Sequence, residues 1–145
     1  MSTIDQKIKR LNDNLLLARK SLGWSAQEFG EKLGVSRQTI NNLEMHRRNY
    51  NLTQMEYLAM RQVFQEEISN NQKGTTMLSA FLEYCVDNPD KYSNKEKEEI
   101  KKQIEALAPS MYVKTDRTAR NIAICTAFVA VLATVGIKLI LNNKK

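Results

Sequence analysis

Apolar residues recur at helical spacing along nearly the whole chain, and no stretch alternates apolar and polar positions for more than a few residues. Proline occurs only at positions 89 and 109, so long runs are free of helix breakers. The pattern predicts an all-α protein. A first helix is expected to open near Thr3, which has Gln6 at capping-box spacing, and to bury Ile8, Leu11, Leu15, Ala18 and Leu22 before Gly23 ends it. Ser25 and Glu28 form the next such box and open a short helix over residues 26–33 with Phe29 and Leu33 inward. Gly34 supplies a left-handed residue for a sharp turn. Ser36 then caps a third helix through Glu44, in which Ile40 and Leu43 face the core. After a basic loop, Thr53 begins a fourth helix with Leu52, Met55, Leu58, Ala59 and Val63 inward. The polar string from Ser69 to Gly74 reads as a linker closing a first domain, residues 1–70.

Beyond the linker, residues 75–86 place Leu78, Phe81, Leu82 and Cys85 on one side, and the turn Asp87-Asn88-Pro89-Asp90 follows. Ser93 and Glu96 open a highly charged helix with Ile100, Ile104 and Leu107 on a narrow stripe, stopped by Pro109. Residues 71–110 therefore read as a short helical hairpin or a weak oligomerisation element, too small for a catalytic domain. The last segment, residues 111–145, has another character: Ile122 to Ile137 carry no charge. With Lys138 snorkelling past Leu139, Ile140 and Leu141, the span over residues 121–141 reaches about 20 residues, or about 30 Å of helix, the thickness of a bilayer core. Its Ile, Leu, Val and Phe residues sum to about −5 kcal/mol on the insertion scale, and they surround the helix instead of forming one stripe. The expectation is a single-pass C-terminal transmembrane helix in the cell membrane, with the lipid bilayer as a partner and the N-terminal domain cytoplasmic. The other reading of the same run is an oligomerisation helix of a soluble protein. Thr126, Ala130 and Thr134 permit close helix pairing in either case.

Net charge is +6 over the 145 residues, which suits a nucleic acid or an anionic membrane. The excess is +2 over residues 1–70, −1 over 71–107 and +5 over 108–145, so it lies mainly around the apolar segment. Cys85 and Cys125 form no CxxC pair, and the polar N-terminus carries no secretory leader, so the N-terminal part is expected in a reducing compartment with both thiols as buried small residues. His46 is the single histidine. With no clustered ligands, nucleophile–base set or phosphate loop, no metal, cofactor, catalytic residue or enzyme activity is expected.

The informative stretch runs from Ser25 to Glu44. A short helix, a glycine turn and a second short helix with a polar outer face is the geometry that presents a recognition helix to the DNA major groove. Gly30 lets the helices approach, and Val35 and Ile40 hold the crossing. On the outer face, Arg37 offers a donor fork to guanine, Gln38, Asn41 and Asn42 pair donor with acceptor toward adenine, and Thr39 can touch a thymine methyl. A bland helix surface would favour Glu and Lys. Gln27, Ser36, Arg47, Arg48 and Asn49, with Lys20 beside them, are candidates for the phosphate backbone. His46 reads either as a further phosphate contact or as a loop residue without a role. Trp24 reads as a hydrophobic staple or as a stacking platform.

At these residues the sequence resembles the Cro and phage-repressor (XRE) family of helix-turn-helix proteins, over residues 10 to about 65. The matching pieces are Arg19 followed by Gly23, the turn Gly34-Val35-Ser36, the Ile40-x-x-Leu43-Glu44 helix end and the later Leu52-x-x-Met55-x-x-Leu58-Ala59 stripe. The resemblance implies a compact four- to five-helix, lambda-repressor-like domain that binds double-stranded DNA, commonly as a homodimer on paired half-sites. It also implies a structural ion pair between Arg19 and Glu44. The chain departs from the family at Ala26, where a phosphate-binding Gln is usual and Gln27 is the substitute, at His46, where glycine is usual, and at Tyr50, where proline is usual. The whole chain then reads as a sequence-specific transcription regulator, a repressor, tethered to a membrane. The alternative is a membrane-anchored interaction module resembling cytoskeletal anchor proteins, which normally carry a sizeable extracytoplasmic domain after their membrane helix.

Overall fold

The computed structural model describes residues 3–46, 50–112 and 116–139. All of its regular structure is helical. Helix α1, Ile4–Asp13, opens on a reciprocal cap in which the Thr3 hydroxyl accepts from the Gln6 amide at 3.2 Å and the Gln6 side chain accepts from the Thr3 amide at 3.0 Å. The expected unbroken first helix is interrupted at Asn14, whose backbone leaves helical geometry while its side chain donates to the Arg10 carbonyl at 3.0 Å. Helix α2, Leu15–Lys20, resumes at once. The apolar stripe survives the break, because Leu11, Leu15, Ala18 and Leu22 are all buried. Helices α3, Ala26–Leu33, and α4, Arg37–Glu44, follow, then the longer α5, Gln54–Asn70.

Helix α5 buries Tyr57, Met60 and Phe64, and not the expected Met55, Leu58 and Ala59. Met55 is 81 % exposed and Leu58 51 %. The reason is the cap: Thr53 and Glu56 exchange bonds of 2.9 and 3.1 Å and fix the first helical residue at Gln54. Leu52, before the cap, and Tyr57, after it, are then the two staple positions and the two buried ones. Counting on from Tyr57 by helical steps gives Met60 and Phe64, not the outer stripe.

The chain after α5 passes through a tight turn, Lys73–Thr75, into α6, Thr76–Phe81, and a π-helical turn, Leu82–Asp87. A further turn at Pro89–Lys91 leads to α7, Asn94–Leu107, and a last one at Ala108–Tyr112 precedes α8, Arg117–Thr134. The stretch read as a linker is therefore ordered. Ser69 and Asn70 end α5, and Gly74 is buried in the turn. Both halves share one apolar cluster, with Leu11, Phe29 and Phe64 from the first and Phe81, Ile104 and Phe128 from the second. Polar ties add to it: Arg10 donates to the Val86 carbonyl at 3.1 Å, and Arg61 grips Asp87 with two bonds of 2.7 and 2.8 Å.

Helix α8 overturns the membrane expectation. It lies along the Lys73–Thr75 turn and α7, burying Asn121, Cys125, Phe128 and Leu132 in a single stripe. Ala123, Ala127, Ala130 and Thr134 face outward. The expected all-round apolar surface is not used as one: Phe128 and Leu132 fall with Asn121 and Cys125 on the buried side, while Val129, 41 % exposed, stands on the outer side among the alanines. The helix is also short. Asp116 caps it by accepting from the Thr118 and Ala119 amides at 3.1 and 3.3 Å, so its first turns hold Arg117 and Arg120. At the other end Gly136 has φ 86°, its N–H reaches the Ala133 carbonyl at 3.1 Å, and the Ile137 N–H reaches the Leu132 carbonyl at 2.9 Å. That pair of bonds, with Ile137 and Leu132 both buried, is a Schellman stop. The uncharged helix from Asn121 to Thr134 spans about 20 Å, against the roughly 30 Å of a bilayer core.

Among the described residues no helix is long and apolar enough to cross a membrane. The transmembrane segment, the bilayer as a partner, the cell-membrane location and the tethering of the chain are withdrawn with it. Ile140 and Leu141, the end of the expected span, lie outside the described residues. The stripe of Cys125, Phe128 and Leu132 is covered by the chain's own core, and Val129 on the other side is exposed. The Cys125 thiol donates to the Gly74 carbonyl at 3.3 Å, and burial pushes the Cys85 thiol up to about 11, so it stays protonated near neutral pH.

This packing has a direct test in denaturant unfolding of the full chain. Phe128→Ala removes a fully buried ring and should cost about 3–5 kcal/mol. Ala127→Lys, on the exposed side, should change stability by less than about 0.5 kcal/mol. A small effect of both substitutions would detach α8 from the core.

Candidate nucleic-acid interface

The site is built on two caps and a turn. The Ser25 hydroxyl accepts from the Glu28 amide and the Glu28 carboxylate accepts from the Ser25 amide, both at 3.1 Å, which fixes the start of α3. Trp24, just outside that cap, sets its ring 6.0 Å from Phe29, and Phe29 stacks on Phe64 of α5 at 5.7 Å. Trp24 is thus a buried staple, with Lys32 Nζ lying 4.8 Å from its ring centroid. Helix α3 ends at Gly34, whose φ of 77° turns the chain, while the Val35 N–H bonds back to the Gly30 carbonyl at 2.9 Å. A Cβ on Gly30 would stand 2.7 Å from the Val35 oxygen, so the turn closes directly against a bare helix backbone. Ser36 caps α4 by accepting from the Thr39 amide at 3.1 Å.

Helix α4 buries Ile40 and Leu43 against this frame. Arg37 and Gln38 stand exposed on its first turn, and Thr39, Asn41 and Asn42 are half-buried. Gln38 Nε2 donates to Asn42 Oδ1 at 2.9 Å, which lines up two amides one turn apart and leaves the Gln38 oxygen and the Asn42 amino group for a base edge. Thr39 shares its hydroxyl with Ser36 at 3.0 Å. Gln27 is exposed at the start of α3 and donates to Glu31 at 3.3 Å. Lys20 is exposed at the end of α2. Arg47, Arg48 and Asn49, the remaining backbone candidates, lie outside the described residues.

Beneath the face, Arg19 and Glu44 meet in a two-pronged pair: Nε to Oε2 at 2.6 Å and Nη2 to Oε1 at 2.9 Å. Their side chains are 12 % and 4 % exposed. The third guanidinium arm donates to the Trp24 carbonyl at 2.9 Å. One arginine therefore ties α2 to the end of α4 and to the entry of α3.

Two contributors were not found by reading the sequence. Asn12, only 6 % exposed, accepts from the Leu52 amide at 3.1 Å and donates to Asn51 at 3.2 Å, with His46 Nδ1 at 3.4 Å from the same amino group. Its signal was its spacing, four residues after Ile8 on the inward side of α1. The second is Arg117 of α8, whose guanidinium bonds the Glu28 carboxylate at 2.8 Å and holds it below the usual carboxylate range. Half-exposed, this pair is screened and contributes little to stability.

Residues 15–55, from the first residue of α2 to the first turn of α5, match the model of the helix-turn-helix family HTH_3. In that segment the chain is similar to this family of non-catalytic DNA-binding domains, in keeping with a protein that is not an enzyme. Neither the curated proteins nor the solved structures return a match. Among the described residues no group of three or more His, Cys, Asp or Glu side chains is placed to hold a metal ion.

The buried pair generates a thermodynamic cycle. Glu44→Leu strands a buried guanidinium and should cost about 3 kcal/mol. Arg19→Leu also orphans the Trp24 carbonyl and should cost more. The double substitution should cost less than the sum of the two, measured by urea unfolding. Strict additivity would show that the pair contributes no coupling.

Proposed function

We propose that the chain is a sequence-specific DNA-binding regulator whose reading head lies in residues 1–70. The observation that carries this is the pairing of α3 and α4 about Gly30 and Gly34, which leaves a helix with Arg, Gln, Thr and Asn on its outer face. Such a helix enters the major groove with its first turns foremost. Arg37 and Gln38 then read base edges, with Thr39, Asn41 and Asn42 flanking them. Gln27 and Ser36 stand at helix starts, where backbone amides and short polar side chains receive phosphate oxygens. Arg47, Arg48 and Asn49 supply the remaining backbone contacts in this reading. The similarity of residues 15–55 to a DNA-binding family supports it.

The test is selection of bound duplexes from a random-sequence pool by the full chain. A defined motif is expected, with affinity falling as salt rises because phosphate contacts release counterions. On the selected duplex, Arg37→Ala or Gln38→Ala should cost about 1–3 kcal/mol, and on mixed-sequence DNA almost nothing. Equal losses on both would assign the two residues to the backbone. Recovery of no duplex at all would overturn the DNA reading.

A further inference from the structure

His46 follows the recognition helix, and its backbone is in the left-handed region at φ 52°. It is the one non-glycine residue with a positive φ among those described. A histidine there is conformationally less favourable than glycine. Its imidazole faces the buried side chain of Asn12, and the surroundings of that amide favour one tautomer. The Leu52 backbone N–H can only donate, so the Asn12 atom facing it at 3.1 Å is the carbonyl oxygen. The other end of the Asn12 amide is therefore the amino group, which donates to Asn51 Oδ1 and stands 3.4 Å from His46 Nδ1. A donor there favours a bare, accepting Nδ1, with the ring proton of the neutral imidazole on Nε2. His46 is exposed, so this arrangement offers an N–H donor beside the exit of α4.

We propose that His46 is a DNA-backbone contact that donates its Nε2–H to a phosphate oxygen, and that Asn12 is the positioning residue that fixes its tautomer and ring orientation. The inference rests on the DNA reading above. It accounts for a histidine at a strained position, because glycine would relieve the backbone and lose the donor. Asn12 reaches both described flanks of the loop, His46 on one side and Asn51 with Leu52 on the other, so a single buried amide sets where the recognition helix ends and where α5 begins. Neutral donors of this kind orient a protein on the duplex without reading sequence.

His46 is the only histidine in the chain, so its ring nitrogens give an unambiguous NMR signature without any DNA. In the full-length protein with the imidazole neutral, the ¹⁵N shifts should report the Nε2–H tautomer, and Asn12→Ala should return the ring to a mixture. Asn12→Ala also strands the Leu52 amide and can unfold the chain, so His46→Gly is the second variant: it keeps the Asn12–Leu52 bond and relaxes the backbone. Its thermal midpoint should equal or exceed that of the wild type. Its affinity for the duplex selected by the wild type should fall about tenfold, the loss of one hydrogen bond to a charged acceptor. A role confined to the fold would move stability and binding together. An Nδ1–H tautomer in the wild type, or unchanged binding by His46→Gly, overturns the proposal and leaves the DNA reading standing. Failure of the wild type to retain any duplex overturns both.

Discussion

The Glu44 carboxylate sits almost wholly out of water at the end of the recognition helix, and an unpaired charge in that position would cost several kcal/mol. Much of the N-terminal architecture follows from how that charge is met. Arg19 brings a planar fork that matches the carboxylate with two parallel bonds, which a lysine could not do. The guanidinium still has a donor to place, and it goes to the Trp24 carbonyl. That bond fixes the backbone one residue before the α3 cap, so the Trp24 ring falls on Phe29 and Phe29 on Phe64. The end of α4 is in this way held from inside the protein through one arginine, which also ties the entry of α3, where the three aromatic rings pack. The polar outer face contributes no part of that support and is left free for another role.

What the sequence made legible was local. The caps at Ser25, Ser36, Thr53 and Ser93 each depend on a side chain meeting an amide three residues on, and all four occur in the structure where that spacing puts them. The Gly34 turn is local for the same reason. The face of α5 was not legible, because the stripe through Leu52, Met55 and Leu58 was carried across a cap. Leu52 lies in the chain before the helix begins, so its phase says nothing about the phase of the helix. The identity of Arg19 and Glu44 as partners came from resemblance, since nothing in a sequence brings together residues twenty-five positions apart. Asn12 was passed over because an asparagine near the end of an amphipathic helix reads as surface, and its burial follows only once Leu52 is known to need an acceptor.

The C-terminal segment shows how far a sum of hydrophobicity can mislead. Insertion scales add residues without regard to where they point, yet α8 buries Cys125, Phe128 and Leu132 on one side and leaves its alanines and Val129 on the other. Two features of the segment suit a protein surface better than a bilayer. Asn121 opens the buried stripe with a polar residue, and Arg120 donates to its side-chain oxygen at 3.0 and 3.1 Å, an arrangement suited to a protein surface. Gly136 followed by Ile137 is a helix stop with its hydrophobic contact. The stop ends the helix short of what a bilayer requires, and Asn121 places a polar side chain near its start.

The way the two halves meet bears on how the second can influence the first. The elements packed against α4 are α1, α2 and α3. The C-terminal elements touch the next layer out: the π-helical turn rests on α1, α7 on α2, and the Lys73–Thr75 turn on α5. The side-chain ties have the same distribution, since Arg10, Arg61 and Glu28 belong to α1, α5 and α3. Gly23 joins them, because a Cβ there would stand 2.9 Å from the Met111 Cβ. The C-terminal half therefore buttresses the helices that hold the recognition helix. α7 and α8 meet α4 through the helices around it, and the Arg19–Glu44 pair, which joins α2 to α4, lies on one of those routes. Breaking that pair would strand a buried charge, so α2 and the end of α4 are held together more firmly than packing alone would hold them.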